Sequence, residues 1–375
     1  MIIFAWKGFP QYAARCVGAF VKSTTEKVVV VATKPNVPVE GMERVCNCPV
    51  VWVDEKLKGC NVEKLKSCDG LDELFNFSTF QPFNITLIVS GWAIPAFNRL
   101  AAEVRAKGGR VICMNDANYV EKLKGCKVEK LKGCKVERLK GCRVERLKQF
   151  ARAMVFRVKY RKLFDGFLVP GKSARKLQRY YGVADEKIAE GMYSADESLF
   201  DPAKVDAAKK ENRIVYVGQY IDRKNVLAVC KAFEQSGIAA KGWSLEMYGS
   251  GPLKAQIPYA QPFVQPEQLP EIYRRARAFI LASKEEHWGL VVHEAALSGC
   301  YLMLSDRVGA ADDLLGEKNG VKFDPFNLAE MTAAFRRLAE MGEAEWADAC
   351  AASLKLGQSR GLSSFVAGVR QTLKM

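Results

Sequence analysis

Two glutamates eight positions apart, Glu286 and Glu294, stand in the stretch Ser283-Lys-Glu-Glu-His-Trp-Gly-Leu-Val-Val-His-Glu-Ala-Ala-Leu-Ser-Gly299. Gly289 opens the run into the helix that carries Glu294. A bend there aims the amides of Leu290 and Val291 at an anion, because the first N–H groups of a helix lack partners within it and mark its positive end. Glu286, on the preceding loop, can accept hydrogen bonds from sugar hydroxyls. Glu294 can take a bidentate pair from vicinal hydroxyls such as those of a ribose. Upstream, VYVGQYIDRKN places Gln219, Arg223 and Lys224 between a strand and a helix, a junction whose free N–H groups suit a phosphate. A second glycine turn, Met247-Tyr-Gly-Ser-Gly-Pro252, would let backbone approach a ligand at Gly249 and Gly251. Glycine turns, Arg-Lys pairs and acidic pairs are common on surfaces, so the weight rests on their order along the chain.

These residues need a scaffold, and the hydrophobic pattern describes one. Val28–Ala32, Val50–Val53, Thr86–Ser90, Arg110–Met114 and Gly166–Val169 read as strands buried on both faces. Tyr12–Lys22 and Ala93–Lys107 between them read as helices. The alternation resumes with Arg213–Val217, Ser244–Tyr248, Ala278–Leu281 and Tyr301–Leu304, with a helix over 225–235 after the first of these. Strands alternating with helices predict parallel sheets with crossover helices, an α/β protein. Two such series in 375 residues predict two doubly wound domains, separated by a polar linker over 196–212.

Charge is the other conspicuous feature. The formal net charge is +15, and 120–180 alone holds 20 basic against 5 acidic residues, which is the whole surplus. Within it Val120–Lys148 repeats VEKLKGCK with a period of eight, echoed at Glu55–Cys68. Eight residues turn an apolar stripe by about 80° per copy on a continuous helix, and each glycine costs a helix interior about 1 kcal/mol. Short helical pieces or a surface insertion fit the repeat better than one straight buried helix. Further on, Phe150, Met154, Val155, Val158 and Leu163 form a helical apolar face with Arg and Lys opposite, suited either to solvent or to an anionic membrane surface. The 12 cysteines lack zinc-knuckle spacing and read as reduced cytosolic thiols. The N-terminus lacks the continuous apolar core of a signal peptide, and no run is long enough to span a bilayer. A cytoplasmic chain is expected.

Taken in order, VGQYIDRKN, MYGSGP, LASKEEHWGLVVHEAALSG, SDRVGAADDLL and NGVKFDPFN resemble the nucleotide-sugar-binding domain of glycosyltransferase family 4, retaining enzymes of the GT-B fold. Glu286 to Glu294 is similar to that family's E-x7-E signature. The first half resembles the family more loosely, through a strand, the loop at Gly8–Pro10 and the stretch DGFLVPGKSARKLQRYYGVADEKI. The resemblance implies a first, acceptor-binding Rossmann-like domain over 1–195 with the repeat inserted at 120–148. A donor domain over 213–355 and a final helix over 356–375 packing back on the first domain follow. The two domains would face a cleft.

Residue by residue, the resemblance implies that Lys224 grips the donor diphosphate, with Arg223 the nearest substitute for a family arginine whose place Gln219 takes. Glu286 would contact the donor sugar as a catalytic-site residue, and Glu294 the ribose. Gly289, Leu290 and Val291 would offer amides to sugar and phosphates, and the loop at Gly8 and Phe9 would close over the diphosphate. Many members carry a histidine in the first domain after a strand; here the strand end reads VICMNDANY, with no histidine before 287. Asn115 or Asp116 stands there instead, and Asp116 is the candidate to accept the acceptor hydroxyl's proton. The implied reaction moves a sugar from a UDP- or GDP-sugar to a hydroxyl of a glycan or lipid-linked acceptor, without metal or other cofactor, in lipopolysaccharide or capsule synthesis. An anionic membrane surface is the expected partner of 120–180. A nucleotide-sugar epimerase of the same fold, a catalytically silent scaffold and a nucleic-acid-binding protein are the alternatives. The last leaves the glutamate series unexplained and its repeats lack interleaved aromatics, so no nucleic acid is expected.

Overall fold

The computed structural model describes residues 1–33, 41–53, 85–119, 147, 149–262 and 264–375. The eight-residue repeats, apart from Leu147, and their echo at 55–68 lie outside the described residues.

The β-branched runs form the strands. In the first domain, β1 (Ile2–Trp6), β2 (Val28–Thr33), β3 (Val50–Val53), β4 (Thr86–Ser90), β5 (Arg110–Met114), β6 (Gly166–Val169) and β7 (Ile188–Glu190) make one sheet in the order β3-β2-β1-β4-β5-β6-β7. Every pairing in it is parallel. The second domain has a five-stranded parallel sheet, β12-β11-β10-β8-β9, from β8 (Glu211–Val217), β9 (Ser244–Tyr248), β10 (Ala276–Leu281), β11 (Tyr301–Ser305) and β12 (Gly320–Phe323). The short strands β7 and β12 were not among the expected ones; a charged residue in each, Glu190 and Lys322, interrupts an apolar run that is already short.

Alternate side chains of β1 feed two cores. Ile3 and Ala5 pack with Phe97, Leu100 and Phe156 on one face of the sheet; Ile2, Phe4 and Trp6 pack with Phe20, Phe365 and Val369 on the other. The second domain has a single large core, which also takes in Ala195 and Phe200, so the start of the expected linker is already seated on the second domain. The last helix, Leu362–Lys374, lies on the first sheet: the Phe4 and Phe365 rings stack at 6.3 Å, and Arg110 donates to the Thr372 carbonyl at 3.1 Å.

The segment 149–163 is helical, as its periodicity predicts, but Ala153 and Phe156 are what face the core. Phe150, Met154, Val155 and Val158 point outward, 53%, 43%, 48% and 83% exposed. An apolar stripe that would ordinarily be buried faces outward on a basic helix.

Both sheets reverse their winding direction once, between β1 and β4 in the first and between β8 and β10 in the second. Loops leaving the carboxyl ends of strands beside such a reversal diverge and leave a crevice, where open α/β sheets bind ligands. The loops after β5, β8 and β10 carry Asp116, Arg223 with Lys224, and Glu286 respectively.

Candidate active site

Strand β10 ends at Leu281, and the chain turns through 282–289 before helix α7 (Leu290–Leu297; helices are counted here from Gln11–Val21, Met42–Cys46, Pro95–Ala106, Lys172–Tyr180, Val226–Ser236 and Leu269–Arg275). Gly289 makes that turn with φ +90°, a left-handed conformation that strains any residue with a Cβ. Its carbonyl accepts from the Val292 N–H at 2.8 Å, so the helix starts immediately. The amides of Leu290 and Val291 are then first-turn donors, without intrahelical partners, at the floor of the crevice.

Glu286 stands above that helix end. Its Oε2 forms an ion pair with Lys224 Nζ, lies 3.7 Å from Arg223 Nη1 and accepts from Ser283 Oγ at 3.3 Å. Arg223 also donates to the Glu285 carbonyl at 2.6 Å. Lys224 is held there because the chain turns at Asn225, in a left-handed conformation with φ +59°, its side-chain amide donating to the Pro325 carbonyl at 2.7 Å. Two cations, a carboxylate and a helix N-terminus thus share one spot. Its field favours a diphosphate beside a hydroxyl-bearing group.

Glu294 lies one helix turn deeper, partly buried, with the Tyr273 hydroxyl donating to it at 3.3 Å. Burial pushes its carboxyl up to about 7, against the smaller opposing effect of that hydroxyl. Next to it His293 is fully buried. Its Nδ1 accepts from the Ala195 N–H at 3.0 Å and its Nε2 donates to the Gly357 carbonyl at 2.8 Å, which makes it neutral, with burial lowering its pKa to about 4.

The first domain closes the crevice. Tyr12, Asp116, Tyr193, Arg223, His287 and Trp288 join Glu286, Gly289 and Leu290 around a cavity of about 370 Å³. Asp116 Oδ2 accepts from the Tyr193 hydroxyl at 3.0 Å and stands 3.4 Å from His287 Nδ1. Asn118 Nδ2 donates across the cleft to the Glu286 carbonyl at 2.8 Å. Elsewhere the domains are tied by the Lys172 N–H to Asp313 at 3.0 Å and by Arg360, which pairs with Glu190 at 3.0 Å and with Asp313.

Lys224, Arg223, Glu286, Gly289, Leu290, Val291 and Asp116 are therefore assembled in one crevice, with Glu294 behind it. Three residues named from the sequence behave differently. Phe9 is fully buried, its ring 5.9 Å from that of Trp6, so its side chain belongs to the core rather than to a closing loop. Its neighbour Gly8 turns with φ +58° and donates to Thr33 Oγ1 at 2.8 Å. Gly249 and Gly251 do allow a close backbone approach, but to the chain itself. A Cβ on Gly249 would lie 1.9 Å from the Gly218 carbonyl oxygen, and one on Gly251 2.5 Å from that of Tyr220. These glycines seat the 218–220 loop. Gln219 in that loop is exposed, its carbonyl accepting from the Tyr216 hydroxyl at 2.9 Å. Missed by sequence reasoning were His287, Tyr193 and Tyr12; only the proximity of His287 to Glu286 in the chain could have drawn attention to it. Among the described residues no group of three or more His, Cys, Asp or Glu side chains could hold a metal ion, and the cysteines are all free.

Residues 198–350 match the family of glycosyl transferases group 1. No curated protein matches the chain in sequence. Solved structures match it over its whole length: a glycosyltransferase from Rickettsia africae (TM-score 0.67, 12% identity, 100% of this chain and 97% of that one) is among them. HepE from Anabaena, in complex with UDP and glucose, matches with TM-score 0.67 and 11% identity over 100% and 99% of the two chains. So does sucrose-phosphate synthase from Thermosynechococcus elongatus, with TM-score 0.64 and 14% identity over 100% and 98%. At these identities the structural likeness establishes the fold, which is GT-B. The family match covers 153 of the 375 residues and lies mainly in the second domain.

Proposed function

We propose that this protein is a retaining glycosyltransferase of family 4 that moves a sugar from a UDP- or GDP-sugar to a hydroxyl of a glycan or lipid-linked acceptor, in bacterial surface polysaccharide synthesis. The observation that carries this reading is the cluster of Lys224, Arg223 and Glu286 over the N-terminus of helix α7. Negative charge grows on the departing diphosphate in such a transfer. Preorganised cations and amides stabilise it there more than in the ground state. Glu286 partners Lys224; a donor diphosphate would take over the lysine and free the carboxylate for the sugar's hydroxyls. Glu294 would hold the ribose. Because these groups supply the counter-charge, no metal is needed. HepE, crystallised with UDP and glucose, supports a UDP-sugar as the first donor to try.

The acceptor side faces the first domain, whose basic helix 149–163 exposes Phe150 and Val158 beside Arg152, Arg157 and Lys159. Apolar residues flanked by cations suit the anionic inner leaflet, where each basic residue near the surface contributes about 1 kcal/mol. This supports a cytoplasmic enzyme seated on the membrane that holds its acceptor. Among the described residues no helix is long and apolar enough to cross one. A thermal-shift panel of UDP- and GDP-sugars with chelator present, followed by NMR of the anomeric configuration in the product, tests the reaction. Release of an epimer without any acceptor, an inverted product, or activity abolished by chelator would each count against it. Co-sedimentation with vesicles tests the seat: equal binding to neutral and anionic lipid would sink it.

A further inference from the structure

We propose that His287 is a positioning residue for the transfer step: from the second domain it reaches across the cleft, fixes the Asp116 carboxylate of the first domain, and presents it to the acceptor hydroxyl only when the domains are together. This rests on the glycosyltransferase reading and adds to it a residue that the order of motifs does not indicate.

Three elements converge on Asp116. The loop after β5 carries it, the chain after β7 supplies the Tyr193 hydroxyl at 3.0 Å, and the loop before helix α7 supplies His287 Nδ1 at 3.4 Å. Both contacts fall on Oδ2, which leaves the carboxylate's second oxygen as the acceptor for an entering hydroxyl. Tyr193 is itself braced edge-on by Tyr12, ring centroids 5.5 Å apart. Tyr12, Asp116, Tyr193 and His287 line the same cavity as Glu286 and Gly289, so the braced carboxylate and the expected sugar site share one space.

The position of His287 is set by the backbone around it. The Glu286 carbonyl accepts from Asn118 Nδ2 at 2.8 Å and from the Gly309 N–H at 3.0 Å. A Cβ on Gly309 would lie 1.9 Å from the His287 carbonyl oxygen and 2.5 Å from Asn118 Nδ2, so only glycine permits this packing. The first domain thus grips the loop one residue from the histidine. An isolated Asp116 would have no such partner from the second domain, and the brace is a property of the closed cleft.

The charged surroundings favour the charged form of both partners. Facing His287 are Asp116, Glu285 (3.7 Å from Nε2) and Glu286, with Arg223 across the cavity. The hydrogen bond that its ring donates to Asp116 raises the imidazole's pKa above its usual value, against burial, and the charges of Asp116, Glu285 and Glu286 add to the rise. Burial by itself would raise Asp116, but the His287 bond and charge with the Tyr193 hydroxyl more than offset it and leave the carboxyl below its usual value. An ionised carboxylate held by two donors is a strong, oriented acceptor for a hydroxyl. The role is orientation: misplacing a reacting group by about 1 Å can cost about 100-fold in rate.

The chain has two histidines, so histidine-labelled NMR of the full protein reads the pair directly. One ring should titrate above the ordinary value and the other, His293, only in acid. In Asp116→Asn the first should fall by about 1 unit or more. Wild-type rings that both titrate at or below the ordinary value, or no change in Asp116→Asn, would overturn the proposal whether or not a donor is known. The kinetic arm uses the donor found in the panel. His287→Ala should lower kcat/KM for transfer by about 100-fold while its Kd for the nucleotide-sugar stays within about twofold, and His287→Asn, which keeps a donor near Nδ1, should recover part of the loss. Transfer within about threefold of wild type, or equal losses of transfer and donor affinity, would refute the role. If no nucleotide-sugar binds even to the wild type, it is the reading of the reaction that fails, and the NMR result still shows whether the pair exists.

Discussion

Glu294 should make donor affinity depend on pH in a calculable way. Its carboxyl, with a pKa of about 7, is roughly one-tenth ionised at pH 6 and nine-tenths at pH 8. If the ionised form is what accepts two ribose hydroxyls, affinity for a nucleotide-sugar should rise about tenfold from pH 6 to 8, about 1.4 kcal/mol. The ligand does not confuse the measurement, since both phosphates of a nucleotide-sugar are diesters without a proton to lose in that range. His287, raised above its usual value by Asp116, also lines the cleft, and its effect would run the opposite way, an imidazolium favouring the anionic donor at low pH. Calorimetric titrations at pH 6, 7 and 8 in His287→Ala therefore isolate the Glu294 contribution. Adding Glu294→Gln should flatten the profile at or below the pH 6 affinity. A profile already flat in His287→Ala, or a tenfold dependence surviving in the Gln variant, would refute the assignment.

The same carboxyl bears on stability. Its folded pKa of about 7 lies above the model-peptide value of 4.5, so its contribution is fully present only below 4.5 and is lost as pH rises through 7. Glu294→Gln should accordingly melt higher than wild type at pH 8, with the two converging toward pH 4.5.

His293 works in the opposite direction: neutral and buried, with a folded pKa of about 4 against 6.5, it loses up to about 3 kcal/mol of stability as pH falls from 6.5 to 4. The wild-type melting profile should be flatter than either residue alone dictates, and Glu294→Gln should unmask the acid loss in melts between pH 4.5 and 7. Lys224→Met leaves Glu286 with Arg223 at 3.7 Å and removes the nearest cation, so nucleotide-sugar affinity should fall by about 100-fold in calorimetry. Gly249→Ala drives a methyl to 1.9 Å from the Gly218 carbonyl oxygen, and urea unfolding should report a loss of about 1–3 kcal/mol.

What could be read from the sequence follows from the range of each interaction. Val28–Thr33 is buried at every position and β-branched at five of six, so its strand is declared locally. Glu286, Glu294 and Lys224 were legible because the loops after β8 and β10 leave adjoining strands, which puts the motifs of one domain side by side. Phe9 was misplaced because a glycine loop looks the same whether the next ring turns to a ligand or to Trp6. Periodicity likewise found the stripe Phe150–Met154–Val158 but not its direction, since the opposite face, with Ala153 and Phe156, also satisfies a helix that must touch a core. The His287–Asp116 contact is the extreme case. Each residue is an ordinary loop side chain in its own domain, and only the facing of two separately wound sheets brings them within 3.4 Å. A motif contained in one domain can describe donor binding. The geometry of transfer to an acceptor lies between the domains, and reading it required both sheets in place.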